Sequence, residues 1–288
     1  MAEPSQHWRT YSREALDRQY DARGSVASFE AEYANYLEAS APALRDPRRK
    51  ADLVFDEASG ERLDLYSAGE GTALFLWIHG GYWRASSKTD NAFIATGFLA
   101  HGISVAILDY TLAPKASLDE IVRQVRQGVA FLHRNGARHG MNTQRIHVGG
   151  SSAGGHLTGM LLASDWQHAH GLPDDVIGVA LGLSGLFDVE PLIDTQVNTW
   201  MTLDGAAVRR NSPIRLIPPR SEAHFIASVG GLETDEFRRQ TSDFATAFAR
   251  SGRTDVVPMP GHNHFDIALS LSAPDGLLCR TVASSIRS

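Results

Sequence analysis

Beyond about residue 52, short runs of apolar and β-branched residues alternate with longer stretches in which apolar positions recur every three or four residues. The short runs, at 53–56, 63–66, 73–79, 104–109, 145–149, 177–183, 224–229 and 254–259, predict eight strands. The longer stretches, at 90–100, 118–138, 153–163 and 235–250, predict helices. In the second of these Leu118, Ile121, Val122, Val125, Val129 and Leu132 share one face at a period of about 3.6. Strands and helices in alternation imply an α/β fold, a mostly parallel sheet with helices on both faces. The first two strands are short, close together and partly polar, as an antiparallel edge hairpin would be.

Two segments break the alternation. Residues 1–50 read as one or two amphipathic helices with Tyr20, Phe29, Tyr33, Tyr36 and Leu37, and residues 186–220 are rich in Pro and Asp. Both are expected to pack over the carboxyl ends of the strands, where open α/β sheets bind ligands, and so to form a small cap. Phe187 and Trp200 are the apolar residues of the second segment placed to reach a pocket there. With no linker in the pattern, residues 1–288 are expected to form a single domain.

Composition narrows the partners. Lysine and arginine number 27 against 33 acidic residues, a net charge of −6, which argues against nucleic acid or an anionic membrane surface and for a small-molecule substrate. With 43% hydrophobic residues the chain can bury a sizeable core. Cys279 is the only cysteine, so neither an intrachain disulfide nor a cysteine-based zinc site can form, and a reducing cytoplasm is the expected compartment. The N-terminus carries Glu3, Arg9, Arg13, Glu14, Asp17 and Arg18 without an apolar core, unlike a signal peptide, and no apolar run approaches membrane-spanning length. A homodimer is compatible with this composition.

The candidate chemistry centres on Gly150-Ser151-Ser152-Ala153-Gly154, a G-x-S-x-G that follows a predicted strand and opens a predicted helix. In that context the motif is the nucleophile elbow of α/β-hydrolases, a sharp turn that lifts a serine hydroxyl out of the chain. Outside it, Ser and Gly are ordinary turn residues. Acyl transfer through Ser152 further requires a histidine base, a carboxylate to orient that base, and N–H donors for the oxyanion. The third strand runs into His79-Gly80-Gly81-Tyr82-Trp83, where adjacent glycines let amide hydrogens point at a substrate. The backbone N–H groups of Gly81, Tyr82 and Ala153 are the expected oxyanion donors.

The base should follow the last strand, where Gly261-His262-Asn263-His264-Phe265-Asp266 stands. His264 is the first choice because Phe265 can anchor its loop in the core, with His262 as the alternative. The H-x-H pair has no third ligand at a suggestive spacing, so no metal site is expected. His7, His168 and His170 lie in polar stretches, and His101, His133 and His139 fall near helix ends. The acid should follow the seventh strand, and Glu233 is the first carboxylate there. Asp235 is its rival, although Thr234 or Asp235 is also placed to cap the next helix and Glu236 to serve as a first-turn acid.

These segments together resemble the kynurenine formamidase (arylformamidase) group of the esterase/lipase-like α/β-hydrolases. The resemblance rests on His79-Gly80-Gly81-Tyr82-Trp83, the elbow from Gly150 to His156, the stretch Glu233 to Gln240, Asn263-His264-Phe265-Asp266 and the opening Asp17-Arg18-Gln19-Tyr20. It implies cleavage of N-formyl-L-kynurenine to formate and kynurenine without metal or organic cofactor, and it supports Glu233 as the triad acid. The acid is aspartate in several such proteins, so a glutamate here must reach His264 with one more methylene. Relatives of this kind also include carboxylesterases and other amidases.

The expected function is therefore a serine hydrolase acting on a small acyl amide. A carboxylesterase of short acyl esters with the same machinery is the alternative, and a non-catalytic ligand receptor on a hydrolase fold is a third reading. Tyr82 and Trp83 are placed to face an aromatic leaving group, although packing of the loop would equally account for them; Trp83 and Trp200 are the expected pocket residues, although an apolar residue in a cap is more often packing than recognition.

Overall fold

The computed structural model describes residues 7–288; Glu3, counted above among the N-terminal charges, lies outside them. The strands are β1 Arg49–Asp56, β2 Glu61–Tyr66, β3 Thr72–Ile78, β4 Ser104–Leu108, β5 Met141–Ser151, β6 Ile177–Leu183, β7 His224–Gly230 and β8 Thr254–Met259. They form one 8-stranded sheet in the order β1-β2-β4-β3-β5-β6-β7-β8. The β1–β2 and β2–β4 pairs are antiparallel and all later pairs are parallel, so the predicted hairpin sits at one edge.

The longer helices are α1 Arg13–Tyr20, α2 Phe29–Leu44, α3 Phe93–Ala100, α4 Leu118–Asn135, α5 Ala153–Leu161, α6 Gly205–Asn211, α7 Asp235–Phe248 and α8 Leu277–Arg287. Several start where a side chain can cap them: Ser12, Ser28, Ser117 and Asp204 each accept a backbone N–H of the first turn. The predicted 118–138 helix ends earlier, at Asn135, and a single tighter turn continues it through His139.

Side-chain alternation along β3 divides the core. Leu74, Leu76 and Ile78 face the apolar side of α4, α5 and α7, whereas Phe75 and Trp77 face α3 and α8. All five are fully buried, each burial favouring the fold by about 1.5–3 kcal/mol. Helix α8 is absent from the predicted elements, although Leu278, Val282 and Ile286 share one face and are buried. It follows the last strand, where the alternation no longer calls for a crossover. Cys279 on this helix is buried, and burial pushes its thiol pKa up to about 12, far from any reactive range.

The two irregular segments divide their roles more finely than expected. Residues 14–36 and 195–200 reach over the carboxyl ends of β3 and β5. The remainder of the second segment lies elsewhere: Arg210 and Asn211 of α6 hold Asp119 at the start of α4. The end of α2 packs against α3, with the Ser40 hydroxyl accepting the Phe93 N–H at 3.1 Å. No described helix is long and apolar enough to cross a membrane.

Candidate active site

Ser152 stands between β5 and α5 with φ 58, a conformation that costs a non-glycine residue energy and that the surrounding structure must impose. Its N–H donates to the Leu183 carbonyl at 2.8 Å, which ties the turn to the end of β6. The glycine two residues on is required by close approach. A Cβ on Gly154 would lie 2.0 Å from the Ile78 carbonyl oxygen, so α5 can pass β3 only without a side chain there. Ala153 opens α5, and first-turn N–H groups have no intrahelical acceptor, leaving its amide available.

The loop after β3 runs alongside. A Cβ on Gly80 would come within 3.2 Å of the Ser152 Cβ, which places the glycine pair against the elbow. Gly81, Tyr82 and Trp83 all have positive φ, of 95, 50 and 55. Such a run keeps successive amides out of any ladder. The loop is pinned at several points. The Tyr110 hydroxyl donates to the carbonyls of His79 and Gly80 at 3.1 and 3.3 Å, and the Ala113 N–H donates to the Trp83 carbonyl at 2.7 Å. His79 is fully buried and stacked on Tyr110, and desolvation holds its pKa below the usual histidine value against the pull of Asp109.

Trp83 does not reach the cavity. It is fully buried and packs edge-on against His156, with ring centroids 5.0 Å apart, so of the two readings of this residue the structure has the packing one. Phe187 likewise belongs to the core, stacked on Phe244 at 4.2 Å. Tyr82 and Trp200 do line the cavity, and the Trp200 indole N–H donates to the Tyr82 carbonyl at 3.3 Å.

Glu233 and His264 meet across the ends of β7 and β8. The His264 Nδ1 lies 2.5 Å from Glu233 Oε2, while Glu233 Oε1 accepts the Ser184 hydroxyl at 2.6 Å and the Gly230 N–H at 2.7 Å. Both side chains are almost fully buried. A carboxylate with this many donors needs no solvent, and its second oxygen is left to fix the imidazole. The His264 ring is held between Phe237, at 4.3 Å, and Phe265, at 5.4 Å. Phe265 is only partly buried, lining the cavity and resting on Phe29, rather than filling the core. The Tyr36 hydroxyl donates to its carbonyl at 3.0 Å.

Asp235 is turned away. It is the first residue of α7, exposed and paired with Arg238. Thr234 occupies the N-cap position, but its hydroxyl donates to the Gln19 carbonyl at 2.6 Å instead of capping. His262 sits 3.2 Å from Asp266 at the surface end of the loop, and among the described residues no group of three or more His, Cys, Asp or Glu gathers as metal ligands would.

Ser152 and His264 line one cavity of about 960 Å³, shared with Gly80, Gly81 and Tyr82. Its outer wall comes from Tyr20, Phe29, Tyr33 and Tyr36 on one side and Thr195, Val197 and Trp200 on the other. The N-terminal wall is clamped at the end of α1. Tyr82 donates to the Tyr20 carbonyl, Tyr20 donates to Glu236 at 2.8 Å, and Gln240 donates to the Tyr20 hydroxyl at 2.8 Å. Asp17 accepts the Gln196 N–H at 2.6 Å, joining the two walls. Thus Asp17-Arg18-Gln19-Tyr20 and Glu233 to Gln240 are two halves of one joint. Tyr36 lines the cavity from the expected cap segment, whereas Ser184 has no sequence signal beyond its position just after β6.

A mostly parallel sheet in this order, with a strained serine turn after β5 and a buried carboxylate–imidazole pair at the ends of β7 and β8, defines the α/β-hydrolase fold. Residues 63–196 match the BD-FAE family. The kynurenine formamidase of Salmo salar is 27% identical over 90% of this chain and 92% of its own length. A solved structure from Silicibacter sp. TM1040, described as a candidate thioesterase, is 27% identical and superposes with a TM-score of 0.80 over 95% of this chain and 99% of that one. The fold is also that of a hyperthermophilic esterase of Pyrobaculum calidifontis, at TM-score 0.71 and 18% identity over 99% of this chain and 98% of that one. The chain thus has the α/β-hydrolase fold, is similar over most of its length to proteins named kynurenine formamidase, and is a hydrolase.

Proposed function

We propose that the protein is a serine hydrolase of small acyl amides, with N-formyl-L-kynurenine as the foremost substrate. The observation that carries this reading is the 2.5 Å His264–Glu233 contact at the wall of the cavity that Ser152 also lines. In the proposed mechanism the Ser152 Oγ attacks the formyl carbon while His264 Nε2 takes its proton, and Glu233 holds the proton on Nδ1 and stabilises the imidazolium. The oxyanion meets the N–H groups of Gly81, Tyr82 and Ala153, donors fixed in advance by the strained loop and the helix start. Collapse breaks the C–N bond, and His264 gives its proton to the departing arylamine. Water then attacks the formyl ester with His264 again as base, releasing formate and restoring the Ser152 hydroxyl.

The similarity to proteins named kynurenine formamidase supports the formyl group. The 27% identity to a solved structure described as a candidate thioesterase favours a second reading, a carboxylesterase of short acyl esters using the same residues. Comparing kcat/KM for N-formyl-L-kynurenine and p-nitrophenyl acetate tests the two. A clear preference for the formamide is expected, and a preference for the ester overturns the first reading in favour of the second. Ser152→Ala should abolish turnover of both while leaving the far-ultraviolet circular dichroism unchanged; retained turnover would remove Ser152 from the mechanism.

A further inference from the structure

The mouth of the cavity carries charge as well as aromatic surface. Glu14, Asp17 and Asp21 line it together with Arg18, Arg23 and Arg84. The carboxylates are already engaged: Glu14 pairs with Arg18 at 2.7 Å, Asp17 accepts the Gln196 N–H and Asp21 accepts the Gly24 N–H at 2.9 Å. Arg23 lies over the Phe29 ring, 4.1 Å from its centroid, and its charge falls partly on Glu30. Arg84 differs from Arg18 in its pairing and from Arg23 in its place, on the loop after β3. Among the described residues it has no carboxylate partner, and its guanidinium is held 4.7 Å from the centroid of Trp200.

That stacking fixes where the charge sits. Trp200 is itself tied to Tyr82, beside Gly81 and Ser152, so Arg84 is carried by the loop that the acyl group would face. A guanidinium with one face on an indole keeps its N–H edge free, the geometry that takes a carboxylate through two parallel hydrogen bonds. The remaining wall is aromatic, from Tyr82, Trp200 and Phe29.

We propose that Arg84 is a specificity-determining residue that binds a carboxylate on the leaving-group side of the substrate, so that aromatic amides and esters bearing a carboxylate are preferred over those without one. This deepens the hydrolase reading and rests on it, but does not require the acyl group to be formyl. The contact lies away from the bond that breaks, so it acts chiefly on KM.

The test uses two matched pairs: phenyl acetate with meta-acetoxybenzoate, and ortho-formamidoacetophenone with N-formyl-L-kynurenine. For each pair the ratio of kcat/KM, carboxylate over neutral, is measured in the wild type, Arg84→Met and Arg84→Lys. Arg84→Met should lower the ratio on the order of tenfold, as expected for loss of a charge-assisted bidentate contact. Arg84→Lys should keep part of it. Raising the salt concentration should narrow the preference of the wild type and leave that of Arg84→Met unchanged. An unchanged ratio, or an equal fall for both members of a pair, overturns the proposal. If formamides are not hydrolysed while the ester pair shows the effect, the formamidase reading fails and the role of Arg84 stands. If N-formyl-L-kynurenine is the preferred substrate and the ratio does not move, the reverse holds.

Discussion

The hydroxyl of Tyr82 donates a hydrogen bond of 2.5 Å to the backbone carbonyl of Tyr20, joining the loop after β3 to the end of the first helix. The residue that directly follows the glycine pair thereby senses whether the N-terminal segment is in place. Tyr82→Phe removes this bond and keeps the ring. With about 1 kcal/mol at stake in such a bond, kcat/KM should fall roughly fivefold. Limited proteolysis between residues 21 and 28 should quicken in parallel. Kinetics and cleavage rates that both match the wild type would show that the link does not matter.

The proposed acid can be separated from its neighbour. Glu233→Gln keeps the shape but loses the charge facing His264 Nδ1, and kcat should fall roughly 10³-fold or more, whereas Asp235→Asn, at an exposed position paired with Arg238, should change little. Glu233→Asp should fall between, because the β7–α7 loop is set for the longer side chain. Steady-state kinetics on a single ester suffice. Equal losses in Glu233→Gln and Asp235→Asn would reject the assignment.

Gly154→Ala tests the elbow as a packing constraint. The added methyl carbon would lie 2.0 Å from the Ile78 carbonyl oxygen, an overlap with backbone that only a shift of α5 or β3 relieves. A cost of about 1–3 kcal/mol is expected, read as a lowered Tm. Gly205→Ala is the control: its nearest neighbour would be an Arg209 side-chain nitrogen at 3.6 Å, and its Tm should stay near that of the wild type.

Acid should weaken the fold through His156. Burial depresses its pKa to about 4; Nε2 bonds to the Asn211 carbonyl at 2.8 Å, and among the described residues Nδ1 has no partner to receive a second proton's charge. The unfolded chain, with a histidine pKa of about 6.5, binds the proton first as pH falls, so it holds more protons than the native state inside that window. Stability from this group is therefore complete above about pH 6.5, declines as pH falls toward about 4, and is constant below. Urea midpoints should drop across the window, and His156→Gln should flatten the slope. A slope unaltered by that substitution would place the effect elsewhere.

Much of this architecture was legible because strand and helix periods differ so plainly: each run from 53–56 to 254–259 lies within a strand of the sheet or overruns its C-terminal end by one residue. The elbow was legible for another reason, since a close-packed turn demands glycine at fixed positions. Trp83 was less so. Sequence adjacency puts it beside the glycine loop, but a positive φ at Tyr82 and Trp83 swings its side chain under the loop onto His156. Arg84 and Ser184 carry no motif; their placement depends on contacts with Trp200 and Glu233, far away along the chain. Long-range pairing of that kind leaves no periodicity to read.

The joint between the two ends of the chain has a consequence for biosynthesis. Gln19 and Tyr20 can dock only once residues 234–240 exist and α7 has formed, a closure over 215 residues for the Thr234–Gln19 bond alone. Contacts so distant form late, because the entropy of closing the loop must be met before they contribute. During refolding the sheet should regain its ellipticity before the cavity gains its outer wall. The nascent protein thus keeps its proposed nucleophile in an open, unwalled groove until the last third of the chain has been made, and competence arrives as the final act of folding.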